Sequence, residues 1–122
     1  MPGLVYKVCA STDWSEAKRR GHYDGSPDDR RDGFIHLSTL DQLAGTLAKH
    51  FSGLDGKGLP GLVLIVLDAD ALGPSLKWEP ACDGALFPHL YAPLETDRAM
   101  REVAIEVGPE GRHRLPEELG GC

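Results

Sequence analysis

Six apolar side chains follow one another in Leu62-Val63-Leu64-Ile65-Val66-Leu67. On a strand, successive side chains point to opposite faces, so a run without polar alternation needs cover on both sides. The run is far shorter than the roughly 20 residues of a membrane-spanning helix. It reads as the central strand of a sheet with packed layers above and below. Asp68-Ala69-Asp70-Ala71-Leu72-Gly73-Pro74 ends it in a turn.

The rest of the chain supplies elements to surround such a strand. Leu4-Val5-Tyr6-Lys7-Val8-Cys9 is rich in β-formers and reads as a first strand. Ser11, Thr12 and Asp13 offer N-caps, and Glu16 stands three residues after Asp13. The spacing predicts a helix over residues 14–20, stopped by Gly21. Lys18-Arg19-Arg20 then sits in its last turn, where cations favour the negative end of the helix. Residues 22–32 read as a loop: Gly25-Ser26-Pro27 punctuates it, and Asp28-Asp29-Arg30-Arg31-Asp32 is mixed in sign and expected to be solvated. Gly33 opens a second strand over residues 34–38. Thr39-Leu40-Asp41-Gln42 fits a capping box, and Leu43, Leu47 and Phe51 make one apolar stripe of a helix ending near Phe51. Residues 52–61 connect to the central strand. Residues 76–79 read as a short edge strand, and residues 87–91 as extended, because Pro88 biases Phe87 away from helix. Asp97 to Arg101 suits a helical turn. Val103, Ile105 and Val107 alternate with Ala104 and Glu106 as a last strand with one buried face. The expected fold class is α+β: a single compact domain over residues 1–122, with a mixed sheet, two or three short helices, a core over about 4–107 and a loosely held tail over 108–122.

Charge and cysteines narrow the function. Thirteen basic and nineteen acidic residues give a formal charge of −6, which disfavours a nucleic-acid binder needing a basic face. Cys9, Cys82 and Cys122 form no close pair, so neither a zinc knuckle nor a disulfide framework is expected; Cys9 reads as a small buried hydrophobe. No His-x-His, Cys-x-x-Cys or His-Glu-x-x-His spacing supports a metal site. Gly53-Leu54-Asp55-Gly56-Lys57-Gly58 precedes a strand, whereas a phosphate-cradling loop opens a helix. Met1-Pro2-Gly3 leads into the first strand without a signal-peptide pattern, and no apolar run is long enough to span a bilayer; a cytoplasmic protein without a membrane partner is expected.

Strand periodicity picks out candidate site residues. On residues 34–38, Phe34, His36 and Ser38 share one face and Ile35 and Leu37 the other. The apolar pair is expected in the core, leaving His36 and Ser38 to line a cleft with Phe34 as a stacking wall. The same parity puts Phe87, His89 and Tyr91 together. Two strands thus each present a histidine beside a hydroxyl and an aromatic ring. Should those faces meet, they would form a small-molecule pocket. A single histidine on a strand is more often a hydrogen-bonded structural residue than a catalyst; it is the two matching patterns together that point to a site. His22, His50 and His113 read as surface residues. Acid candidates are Glu79, beside Trp78, and Asp83.

These phrases carry a family resemblance. Gly33-Phe34-Ile35-His36-Leu37-Ser38-Thr39, Trp78-Glu79 and Phe87-Pro88-His89-Leu90-Tyr91-Ala92-Pro93-Leu94 resemble the DUF952 family, small bacterial proteins of unknown function grouped structurally with ADP-ribosyltransferases. The element order is also similar to that of NAD-dependent RNA 2′-phosphotransferases, in which a strand carries a His-x-His-Leu-Ser phrase. His36 matches its second histidine, and Phe34 replaces the first. The resemblance implies an ADP-ribosyltransferase-like fold and NAD or a related nucleotide as substrate. His36, His89 and Glu79 would be the catalytic residues, with Phe34, Ser38, Tyr91, Trp78 and Lys7 binding the ligand. Lys7 stands where those transferases usually carry Arg or His, and Glu79 would substitute for their terminal catalytic Glu. Two readings stay open: an enzyme that transfers or hydrolyses an ADP-ribosyl group, and a non-catalytic ligand-sensing or interaction domain that keeps the fold without the reaction.

Overall fold

In the computed structural model, which describes residues 3–53, 57–81, 84–109 and 111–114, the apolar run lies at the centre of a sheet as its pattern demands. The order along the chain is β1 (Leu4–Ala10), α1 (Ser11–Arg20), β2 (His22–Tyr23), α2 (Pro27–Asp32), β3 (Ile35–His36), α3 (Leu43–His50), β4 (Leu62–Asp68), β5 (Leu76–Pro80), β6 (Leu86–Leu90), β7 (Leu94–Glu95), β8 (Arg101–Val107) and β9 (His113–Arg114). Short 3-10 segments occupy Leu40–Gln42, Asp70–Ser75, which is kinked at Gly73, and Thr96–Arg98. Cys82, Asp83, Cys122 and most of the expected tail lie outside the described residues.

Three sheets result, ordered β1-β4-β8-β9, β3-β6-β5 and β2-β7. The α+β class stands, but the expected mixed pairing does not: every strand pair among the described residues is antiparallel. The chain re-enters each sheet from the end it left, so neighbouring strands run in opposition. β4 is flanked by β1 and β8, and Leu62 through Leu67 are all buried. On one face Leu62, Leu64 and Val66 meet Leu43 and Leu47 of α3. On the other, Val63, Ile65 and Leu67 meet Trp14 and Ala17 of α1, together with Ile35, Leu37, Leu90 and Leu94 from the smaller sheets. A two-residue bridge between Tyr6 and Ser38 ties the edge of the large sheet to the chain leaving β3.

Several boundaries differ from expectation. Helix α1 begins at Ser11 with no side-chain cap; the Ser11 hydroxyl instead donates to the Gly61 carbonyl at 2.9 Å, anchoring the helix start to the start of β4. The expected loop over 22–32 holds β2 and the capped helix α2. Only two residues of the expected 34–38 strand enter the ladder, because Gly33, with φ of 87°, closes α2 and Ser38 turns away to bridge Tyr6. Beyond residue 107, His113 and Arg114 pair with β8, so the ordered chain reaches past the expected start of the tail. No helix among the described residues is long and apolar enough to cross a membrane.

Candidate functional site

The second sheet builds the site. β6 is its middle strand although it contains Pro88, which has no N–H to give to a ladder. Leu37 N–H donates to the Pro88 carbonyl at 3.0 Å, so position 88 faces β3 with its acceptor and loses one bond at its missing donor. By strand alternation, the neighbouring His36–His89 pair is then non-hydrogen-bonded, the arrangement in which opposed side chains lie closest. Their rings meet edge to face with centroids 5.6 Å apart. The two histidine-bearing faces do come together.

Phe34 completes an aromatic cluster. Its ring stacks on His89 at 4.0 Å with a 24° tilt, and lies 4.6 Å from His36 and 5.2 Å from Tyr91. Phe34, expected as a stacking wall of the cleft, stacks its ring on the imidazole of His89. Across the ladder, Lys77 opposes His89 and Glu79 opposes Phe87. Glu79 Oε1 accepts from His89 Nδ1 at 2.8 Å and from the Tyr91 hydroxyl at 2.7 Å. The Tyr91 bond and then the His89 bond hold the Glu79 carboxyl below the usual carboxylate range, and the same contact pushes the Tyr91 phenol up.

His36 sits between two carboxylates. Its Nδ1 lies 2.6 Å from Asp29 Oδ1 and its Nε2 2.9 Å from Asp32 Oδ2. Asp29, absent from the sequence-based candidates, is the hub of this side. Its Oδ2 accepts from Lys7 Nζ and from Ser26 N–H, both at 2.9 Å, while its Oδ1 also accepts the His36 N–H at 3.1 Å. Burial opposes the charge on Asp29. The His36 bond, the Lys7 ammonium and the Ser26 N–H outweigh it and hold the carboxyl well below its usual range. Asp32 is also lowered, first by Arg31 and further by His36.

The signal for this hub lies in Ser26-Pro27-Asp28-Asp29. Ser26 caps α2 and Asp29 returns the bond to Ser26 N–H, a capping box with proline at the first helical position. Gly25, at φ of 109°, lets the chain pass: a Cβ there would stand 2.7 Å from the Asp29 Cβ.

Three expected ligand residues are placed elsewhere. Ser38 is buried, with its hydroxyl 2.8 Å from Thr46 and its backbone bridged to Tyr6, so it packs α3 against the sheet and does not line the cleft. Lys7 is 4% exposed and its ammonium is spent on Asp29 and the His36 carbonyl at 3.1 Å. It supports His36 from beneath. Trp78 opposes Pro88 and, by alternation, lies on the other face of β5 from Glu79. Cys9 is buried as expected, and burial pushes its thiol up to about 12, far from nucleophilic. His22 lies near Asp24, at 3.4 Å, and His113 Nε2–H donates to the Leu59 carbonyl at 2.9 Å. Among the described residues no group of three or more His, Cys, Asp or Glu side chains could hold a metal ion.

Comparison with known proteins gives a family without a described activity. Residues 8–102 match the family described as "Protein of unknown function (DUF952)". A search of curated proteins finds no match. The crystal structure of Protein CC0527 from Caulobacter crescentus is similar, with 40% identity, a TM-score of 0.87, and coverage of 96% of this chain and 98% of that one. The solution structure of CC0527 also matches, at 40% identity and a TM-score of 0.80, covering 94% and 95%. The matched family segment runs from β1 into β8 and contains both histidine phrases, Glu79 and Asp29; the chain belongs to the DUF952 family.

Proposed function

We propose that the cluster of Phe34, His36, His89, Tyr91 and Glu79 binds NAD or a related nucleotide and transfers or hydrolyses its ADP-ribosyl group. The observation that carries this reading is the carboxylate of Glu79, kept ionised and aimed by His89 and Tyr91 beside the Phe34 ring. The oxidised nicotinamide ring is a cation on a ribose. Aromatic faces and nearby carboxylates suit such a ring, and a fixed carboxylate stabilises the positive charge that grows on the ribosyl carbon. When the C–N bond breaks, its electron pair goes to nicotinamide, which leaves neutral. An acceptor oxygen then bonds the ribosyl carbon and gives up its proton. With Nδ1–H donated to Glu79, Nε2 of His89 is free as a base to take it.

One observation favours a second reading, a module that binds ligand without turnover. Lys7, at the position where the transferases use a cofactor-gripping Arg or His, is buried and consumed by Asp29.

Titration calorimetry of NAD into the parent, Phe34→Ala and Glu79→Gln, with nicotinamide release followed in parallel, separates the two. The transferase reading expects binding lost in Phe34→Ala, with release by the parent that falls at least about 100-fold in Glu79→Gln. Binding without release supports the module. No binding by the parent removes NAD chemistry from the site.

A further inference from the structure

We infer that the outer edge of β5 is a self-pairing surface, which joins two copies of this chain antiparallel about Trp78. β5 ends its sheet, and among the described residues no strand pairs along its other side. Which backbone groups it offers follows from the ladder. The 75–91 and 81–85 contacts are hydrogen-bonded, from Tyr91 N–H to Ser75 O at 2.9 Å and from Ala81 N–H to Ala85 O at 2.8 Å. In an antiparallel ladder the bonded pairs alternate, so Lys77 and Glu79 spend their groups on β6. Trp78 therefore turns both N–H and C=O outward and Pro80 its C=O, while Leu76, whose N–H already donates to the Gly73 carbonyl, offers its C=O.

That edge is complementary to itself. With a two-fold axis at Trp78, the two Trp78 residues exchange two bonds. Pro80 has no N–H and the Leu76 N–H is engaged within its own chain, so this register leaves the Leu76 and Pro80 carbonyls to water. Lys77 of each copy then opposes Glu79 of the other in the non-bonded positions, where side chains approach most closely. A shift by two residues in either direction loses both charge pairs. On the opposite face, Trp78, 42% exposed in the single chain, lies against its own image, and exposed Leu86 stands diagonal to it. An open backbone edge, paired charges and an uncovered indole thus coincide on one five-residue strand, as an isologous contact requires. The occupant is a second copy; an extended peptide of another protein would have no reason to match the Lys77–Glu79 alternation. The contact also delivers Lys77 of the second copy to the Glu79 side of the candidate site.

Sedimentation equilibrium over a wide concentration range tests this on the full chain. The parent is expected to associate to a dimer. Lys77→Glu, an exposed change that leaves the fold's core intact, is expected to weaken association about tenfold or more by opposing like charges twice. The exchanged variant, Lys77→Glu with Glu79→Lys, is expected to recover it, since the charges pair again in reversed order. In the parent, the Trp78 amide is expected to exchange more slowly with solvent as concentration rises. A parent that stays monomeric at the highest concentration overturns the inference. So does a dimer indifferent to Lys77→Glu, or one that the exchanged variant fails to restore. Protection of the β5 amides only when an extended peptide is added would assign the edge to a foreign strand and likewise overturn it.

Discussion

At the scale of single residues, Asp29 and Lys7 form the contact most sensitive to change. Both are buried, and each satisfies the other's charge. Removing one partner strands the other in a low-dielectric interior, so Asp29→Ala is expected to cost about 3–5 kcal/mol in urea unfolding. Replacing both by apolar residues, as in Lys7→Met with Asp29→Leu, is expected to recover only the part of that loss due to the stranded ammonium, because the Ser26 and His36 N–H groups still lose their acceptor. The pH dependence has a fixed sign. The folded carboxyl of Asp29 is lower than the unfolded one, so the unfolded chain binds the extra proton first and acid favours unfolding. The contribution is complete above the ordinary carboxylate value of about 4 and disappears as pH falls below it. Chemical unfolding at stepped pH is expected to show a shallower loss of stability below about pH 4 in Asp29→Asn than in the parent. Glu79 shifts in the same direction, but its carboxylate is solvent-facing and solvent screens its effect on stability.

At the scale of elements, α2 decides whether the His36 side of the site exists. Six residues are too few for a helix to hold by itself; the capping box and the Asp29 hub hold it. Ser26→Ala is expected to destabilise the chain by about 1 kcal/mol. Gly25→Ala, forcing a side chain into a left-handed conformation and against Asp29, is expected to cost about 1–3 kcal/mol. In both, nuclear magnetic resonance should report a changed His36 ring environment, because α2 carries both of its carboxylate partners. An unchanged His36 signal in Gly25→Ala would refute the coupling of turn to site. β6 shows the complementary device: Pro88 forfeits one ladder bond in a middle strand and sets the parity that puts His36 and His89 side by side.

Across the whole molecule, stability concentrates where β4 is covered on both faces. Leu64 is fully buried between β1, β8 and α3, and Leu64→Ala is expected to cost about 2–5 kcal/mol. Leu86, 53% exposed on β6, is expected to lose less than about 0.5 kcal/mol on the same change. Comparing the two by thermal unfolding checks that the large sheet, and not the β5–β6 hairpin, bears the load. The site therefore sits on the smaller sheet, coupled to the stable one through the Tyr6–Ser38 bridge and the Lys7–Asp29 pair.

What the sequence determined by itself was whatever depends on local periodicity. The unbroken run of residues 62–67 required a two-sided central strand, the Thr39–Gln42 phrase started the following helix, and the parity of residues 34–38 and 87–91 put Phe34 with His36 and His89 with Tyr91. What only the tertiary structure decided was which of those side chains face each other and which are consumed. Asp29 looked like one charge in a solvated run, and became the buried hub because Lys7, twenty-two residues earlier, and His36, seven later, converge on it. Ser38 had the right parity for a cleft and Lys7 the position the resemblance implied, yet Thr46 and Asp29 claim them. Periodicity fixes the direction of a side chain relative to its own strand; its partners depend on contacts between distant segments, and those exist only once the sheets have assembled.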